Sequence, residues 1–242
     1  MEIVNKHIPK HRYMWRSIVE YVVFWPPRPT YNREFVSITG TPLRFLEDIP
    51  ILEYVVDPTL PWILYSHGMR CDIGKMDHHI TSLSLALGIN ILSYDFPGYG
   101  CCPGRPSEQA SYRAIEMVYA YLIERGATQI FLYGVSLGTG PTIELATRVK
   151  VAGVILRSPF LSLGIFHNLA KMDLITAPIY CIHGNKDWLV PVIHSMALCN
   201  RVKGDCTRLY LPGGHGDLMK CCKAEIVEGI RGFLKVCLAG AT

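Results

Sequence analysis

The stretch IFLYGVSLGTGP at residues 130–141 decides the fold of this 242-residue chain. Residues 130–133 are apolar, as in a buried strand, and residues 137–149 are compatible with a helix. Between them lies GVSLG (134–138), a G-x-S-x-G pattern in which a sharp strand-to-helix turn presents a serine. The alternative is a glycine-rich loop with an idle serine. Because the pattern lies between a strand and a helix, we interpret Ser136 as a nucleophile.

Apolar runs and helical segments alternate from residue 62 onward. The strands are predicted at 62–66, 90–95, 130–133, 151–157, 179–182 and 207–211, and the helices at 78–87, 107–125, 137–149, 191–201 and 217–238. Strands that are short and mostly apolar fit a parallel sheet with helices on both faces, so we predict an α/β fold. Extended runs at 34–39, 43–46 and 51–56 predict an antiparallel opening to this sheet. Residues 158–178, which separate two strands, are too few for a lid domain.

Two more polar residues follow predicted strands. Asp187 lies in HGNKDWLVP (183–191), and His215 lies in GGHGD (213–217). Ligands and reactive groups collect beyond the carboxyl ends of parallel strands. The order Ser136, Asp187, His215 is the order of a serine-hydrolase triad in this fold class. We therefore predict a nucleophile, an orienting acid and a general base, with helix capping as the alternative role for Asp187.

An acyl-transfer site also needs donors for a developing oxyanion. We expect one from the backbone N–H of Leu137, at a helix start, and the other from the loop at 67–72, by position the N–H of Met69. His67 and His183 are each followed by glycine, and we interpret both as structural turns.

Composition limits the other possibilities. Half of the residues are hydrophobic and 18% are charged, which indicates a large buried core. A net charge of +4 is too small to indicate a nucleic-acid partner. The nine cysteines include no C-x-x-C spacing and predict free thiols in a reducing compartment. We expect neither a metal nor a cofactor.

The N-terminal region predicts a separate element. Residues 26–29 (PPRP) form a stiff break, so we divide the chain into an amphipathic segment at 1–25 and a catalytic domain at 26–242. No signal peptide is evident, and we expect a cytoplasmic protein. A helix at 12–25 would have one polar and one apolar face, with Arg12, Arg16 and Glu20 opposite Met14, Trp15, Ile18, Val19, Val22 and Val23. It would lie peripherally on the cytosolic face of a membrane, or pack on the domain.

Residues 24–238 resemble the α/β-hydrolase domain-containing depalmitoylase family, the ABHD-seventeen group. The similar segments are FWPPRPTY (24–31), SHG followed by Asp72 (66–72), YDFPGYG (94–100), GRPSE (104–108), YGVSLGTGP (133–141), SPF (158–160), IHGNKD (182–187) and GGHGD (213–217). The resemblance implies the α/β-hydrolase fold, catalytic roles for Ser136, Asp187 and His215, and hydrolysis of palmitoyl-protein thioesters. Family members open with acylated cysteines, whereas here no cysteine precedes Cys71, and Met69 replaces the family's asparagine.

The residues leave two other functions open. The substrate would be an acylated protein or a small acyl ester, so the chain could be a small-molecule carboxylesterase or another serine hydrolase. A non-catalytic binding module is the third possibility, and the complete Ser-Asp-His set argues against it.

Overall fold

An eight-stranded sheet forms the centre of the structure, a computed structural model that describes residues 18–240. The strand order is β1-β2-β4-β3-β5-β6-β7-β8. β2 is antiparallel to β1 and β4, and all other neighbours are parallel, which confirms the predicted α/β class. The strands are β1 (Arg44–Leu46), β2 (Ile49–Tyr54), β3 (Trp62–Ser66), β4 (Asn90–Tyr94), β5 (Ile130–Val135), β6 (Gly153–Arg157), β7 (Ile179–Gly184) and β8 (Cys206–Leu211).

Helices cover both faces of the sheet. They are α1 (residues 18–24), α2 (Ile73–Leu87), α3 (Glu108–Glu124), α4 (Thr139–Ala146), α5 (Ile193–Arg201), α6 (Leu218–Cys221) and α7 (Lys223–Ala239). Alternate strand residues point to opposite faces. Leu132 joins the core beneath α3, α4 and α5, whereas Phe131 and Tyr133 join the core beneath α2 and α7. Burial on both faces explains why the central strands are apolar throughout.

The connection between β6 and β7 is short, as predicted. Residues 158–178 contain only two 3-10 turns, Asn168–Ala170 and Met172–Leu174. No lid domain covers the carboxyl edge of the sheet within the described residues, so this part of the prediction is confirmed.

Side-chain caps explain two differences from the predicted elements. The predicted strand at 34–39 is wrong, because only one bridge forms there, between Val36 and Pro42. The Ser37 hydroxyl accepts hydrogen bonds from nearby backbone N–H groups instead of leaving them to a strand partner. Helix α2 begins five residues earlier than predicted, since the Asp72 carboxylate accepts from the Lys75 N–H at 2.9 Å and caps its first turn.

Two predicted helices are interrupted. The segment predicted as one helix at 137–149 begins as a 3-10 turn, Ser136–Gly138, before α4. The segment predicted at 217–238 divides into α6 and α7, which meet at Cys222 in a non-helical conformation.

Helix α1 packs on the domain through part of its apolar surface. Val19 and Val23 contact the core and Phe24 is fully buried. The predicted polar face is wrong at Glu20, whose carboxylate accepts from the backbone N–H of Glu108 at 3.2 Å. The exposed apolar side chains of this segment are Ile18, Tyr21, Val22 and Trp25. Residues 12–17 of the predicted helix lie outside the described part, and the boundary between segments 1–25 and 26–242 stays a prediction.

Between residues 18 and 240, no helix has both the length and the hydrophobicity that crossing a bilayer requires.

Burial of His79 predicts an acid-sensitive fold. Burial, with the nearby Arg157 and Lys223 charges, lowers the pKa of His79 from 6.5 to about 4. As the pH falls, the unfolded chain therefore takes up this proton before the folded protein does. The contribution of neutral His79 to the free energy of unfolding is complete above pH 6.5 and is lost as the pH falls toward 4. In urea titrations, we expect His79→Gln to remove roughly 3 kcal/mol of this pH-dependent loss. The control is His167→Gln at an exposed histidine; equal pH slopes in wild type and His79→Gln would contradict the assignment.

Candidate active site

A strained turn presents Ser136 at the carboxyl end of β5. Ser136 has φ of 49°, in the left-handed region that non-glycine residues rarely adopt. The turn is also tightly packed, because a Cβ built on Gly138 would lie 2.2 Å from the Ser66 carbonyl oxygen. A Cβ on Gly134 would lie 2.8 Å from the Gly138 carbonyl oxygen. Both glycines of the predicted pattern are therefore required by close backbone approach.

The three residues predicted as a triad lie in one hydrogen-bonded chain. The Ser136 Oγ is 2.9 Å from His215 Nε2, and His215 Nδ1 is 2.7 Å from Asp187 Oδ2. The Asp187 side chain is fully buried, whereas that of His215 is 18% exposed. Because Asp187 accepts from Nδ1–H, His215 Nε2 is free to accept the serine proton.

The second oxygen of Asp187 fixes its own loop. Asp187 Oδ1 accepts from the backbone N–H of Leu189 at 3.0 Å and of Val190 at 2.8 Å. Helix α5, by contrast, begins without a side-chain cap. Asp187 therefore holds the loop before α5 and does not cap the helix itself.

His183 lies directly behind Asp187 and is fully buried. Its Nε2 is 2.8 Å from the Val190 carbonyl oxygen and 3.2 Å from Asp187 Oδ2, and its Nδ1 contacts the Ser195 hydroxyl. Burial lowers the pKa of His183. The interpretation of His183 as a structural turn missed its contact with the candidate acid. The only sequence signal was its place on the same strand end.

The loop after β3 lies beside Ser136. A Cβ on Gly68 would lie 3.6 Å from the Ser136 Cβ, which puts the loop containing Met69 against the serine turn. Asp95 braces the base of this loop, since its carboxylate accepts from Ile73 N–H at 2.9 Å and lies 3.1 Å from His67 Nε2.

Two residues that follow the proline run at 26–29 reach the same loop. The Tyr31 hydroxyl donates to Asp95 at 2.5 Å. The Thr30 N–H donates to Asp72 at 2.8 Å, and the Thr30 hydroxyl donates to the same carboxylate. These residues therefore belong to the support of the site, a role that the sequence analysis did not predict.

Exposed apolar side chains follow Asp187 at the site's edge. Trp188 is 85% exposed, Leu189 is 50% exposed and Ile193 is 59% exposed. Large exposed apolar groups beside a reactive centre are typical of a surface that binds apolar ligands.

Comparison with curated proteins shows the family. The chain is 30% identical over 260 residues to alpha/beta hydrolase domain-containing protein aho-3 of Caenorhabditis elegans, covering 90% of this chain and 78% of that protein. It is 34% identical over 190 residues to alpha/beta hydrolase domain-containing protein 17C of Xenopus tropicalis, covering 71% and 61% respectively. The chain belongs to the alpha/beta hydrolase domain-containing protein family. It spans about 60% of the length of the 17C relatives, and no protein-family profile matches it.

Solved structures share the fold of this family member. An esterase of Pyrococcus furiosus, Pf2001, is 16% identical with a TM-score of 0.74, covering 87% of this chain and 98% of that one. A monoacylglycerol lipase of Paleococcus ferrophilus is 18% identical with a TM-score of 0.65, covering 78% and 99%. These likenesses confirm the predicted α/β-hydrolase fold.

Two glycines allow a matched test of the serine turn. In Gly138→Ala the new Cβ would collide with the backbone of β3, so we expect a loss of more than about 3 kcal/mol in unfolding free energy. Gly232 lies exposed in α7 with nothing within 4 Å of an added Cβ. There Gly232→Ala should gain up to about 1 kcal/mol through helix propensity. Urea unfolding measures both, and similar values for the two variants would contradict the close approach.

Proposed function

We propose that the chain is a serine hydrolase that cleaves acyl thioesters and esters, with Ser136 as nucleophile, His215 as general base and Asp187 as orienting acid. The observation that supports this most is the hydrogen-bonded chain from Ser136 Oγ through His215 to Asp187 at a strained strand-to-helix turn. Idle surface serines are rarely held in such a conformation.

Acylation begins with proton transfer from the Ser136 hydroxyl to His215 Nε2. The serine oxygen attacks the acyl carbonyl, and Asp187 stabilises the imidazolium that forms. Collapse of the tetrahedral intermediate breaks the carbon–sulfur or carbon–oxygen bond. His215 returns the proton to the leaving thiol or alcohol, and the acyl group stays on Ser136.

Deacylation repeats these steps with water. His215 Nε2 takes a proton from a water molecule, whose oxygen attacks the acyl-serine. The carboxylic acid is released and His215 returns the proton to the Ser136 oxygen. The backbone N–H groups of Leu137 and Met69 are proposed to stabilise both oxyanions, each contributing about 3–4 kcal/mol to the transition state.

The proposed substrate is a protein that carries a palmitoyl thioester. Family membership supports this choice. The uncovered carboxyl edge would admit an acyl group displayed on a bulky protein, and Trp188, Leu189 and Ile193 offer apolar surface for its chain. A small-molecule carboxylesterase is the alternative, and it would hydrolyse short acyl esters without any dependence on an attached protein.

Replacement of the proposed nucleophile tests the activity itself. We expect Ser136→Ala to fold normally, lose fluorophosphonate labelling and lose thioester hydrolysis beyond the residual effect of binding and the oxyanion hole. Ser162→Ala, which alters a partly buried serine of the β6–β7 connection, serves as the control. Labelling that persists in Ser136→Ala would assign the nucleophile elsewhere. Competition of labelling by palmitoyl-peptide and butyryl esters would separate a depalmitoylase from a carboxylesterase.

Peripheral membrane contact through residues 12–25 is a further part of the proposal. Ile18, Tyr21 and Val22 of α1, with Trp25 directly after it, form an exposed apolar edge. Lys10, Arg12 and Arg16 precede them in the sequence. Each basic residue near an anionic lipid surface contributes about 1 kcal/mol. With only one weak apolar anchor, such binding is reversible and sensitive to salt.

Vesicle sedimentation tests this contact. We expect Tyr21→Glu combined with Val22→Glu to leave the protein in the supernatant with phosphatidylserine vesicles at low salt, whereas the wild type sediments. Val236→Glu combined with Leu85→Glu introduces the same charge at two exposed apolar residues of α7 and α2 and should sediment like the wild type. A wild-type protein that stays in the supernatant would refute the contact.

A further inference from the structure

We infer that His183 is a positioning residue of the proposed triad, whose Nε2–H donates to the Val190 carbonyl and also lies against the Asp187 oxygen that binds His215. The inference rests on the proposed function, because it concerns how Asp187 acts on His215. It concerns a buried histidine that the proposed reaction does not otherwise use.

The contacts of His183 fix the position of its proton. Its Nε2 faces two acceptors, the Val190 carbonyl oxygen at 2.8 Å and Asp187 Oδ2 at 3.2 Å. A carbonyl and a carboxylate can only accept, so Nε2 must carry a proton. Nδ1 then accepts from the hydroxyl of Ser195 in the first turns of α5. His183 is therefore a neutral Nε2–H tautomer, in agreement with its complete burial.

This proton has a consequence for Asp187. Asp187 Oδ1 already accepts from Leu189 and Val190, and Oδ2 is shared between His215 Nδ1 at 2.7 Å and His183 Nε2. The His183 donor holds the carboxylate plane against His215 and withdraws part of its charge. Without that donor, more of the Asp187 charge acts on His215 and on the proton that it takes from Ser136.

Few other groups near His183 could change how the Asp187 charge acts on His215. The titratable groups that face His183 are Asp187 and His215. Its remaining partners, the Val190 carbonyl and the Ser195 hydroxyl, are neutral. His183 also ties β7 to α5, so the orientation of the candidate acid depends on the packing of both elements.

The test compares His183→Leu with His183→Gln. Leucine removes the donor at similar volume, whereas the glutamine amide can still donate near the position of Nε2. We expect His183→Leu to lower kcat for a p-nitrophenyl ester about tenfold per fluorophosphonate-titrated site, with KM nearly unchanged. The acid limb of its kcat/KM profile should move to higher pH. His183→Gln should restore the limb and most of kcat, and His78→Leu, at an exposed position of α2, is the control.

Two results would overturn the inference. One is an acid limb of the kcat/KM profile that lies at the same pH in His183→Leu as in the wild type, measured per titrated site. A residue with only a structural role would lower the fraction of active protein and leave the acid limb at the same pH. The other is a His183→Gln variant as impaired as His183→Leu.

If the leucine variant does not fold, nitrogen-15 NMR of the histidine side chains in folded protein tests the inference instead. In the wild type and in Ser136→Ala, we expect His183 to be a neutral Nε2–H tautomer whose proton shift changes when His215 is replaced by glutamine. An Nδ1–H tautomer, a charged ring or a proton shift indifferent to His215 would refute the assignment. This measurement needs no turnover, so it distinguishes failure of the inference from failure of the proposed activity.

Discussion

The close approach of the Ser136 turn to the end of β3 is the constraint on which the site depends. An added Cβ on Gly138 would lie 2.2 Å from the Ser66 carbonyl oxygen, so the chain passes at backbone contact distance. The turn must therefore reverse within a few residues, and Ser136 takes the left-handed φ of 49°. Strain of this kind persists only where surrounding packing over-determines it. Here the neighbouring strands supply that packing, because β5 lies between β3 and β6.

The parallel sheet then brings distant residues to the same edge. Strands β3, β5, β7 and β8 end together, so the segments that follow them meet although they are far apart in sequence. The strand register fixes which strand-end residues are neighbours: Ser66 pairs with Gly134, and Gly184 pairs with Leu211. The Asp187 and His215 segments start from the last of these positions. A hydrogen-bonded chain of three side chains thus follows from strand order and register together.

The sequence predicted those parts of the fold and site that depend on local pattern. The grouping of Ser136, Asp187 and His215 is predictable because each follows an apolar strand, and strand ends are visible in one dimension. The contacts of His183 are not predictable, because its partners, the Val190 carbonyl and the Ser195 hydroxyl, become neighbours only when α5 packs on β7. The strand predicted at 34–39 failed for the opposite reason, since a local serine hydroxyl took over the hydrogen bonds that a strand partner would receive. The sequence pattern predicts well which residues are buried, but it does not show which of several acceptors receives a given hydrogen bond.

Residues 24–31 show how a part of the chain far from the triad in sequence can support the loop beside it. Thr30 and Tyr31 bind Asp72 and Asp95, and these two carboxylates hold the ends of the loop that contains Met69. The prolines at 26–29 restrict the unfolded chain, so less conformational entropy is lost when this segment is ordered. The Tyr99 hydroxyl also binds the Phe24 carbonyl, which fixes the other side of the proline run. The proline run thus joins α1, which is anchored at Phe24, to the two residues that hold the loop beside Ser136.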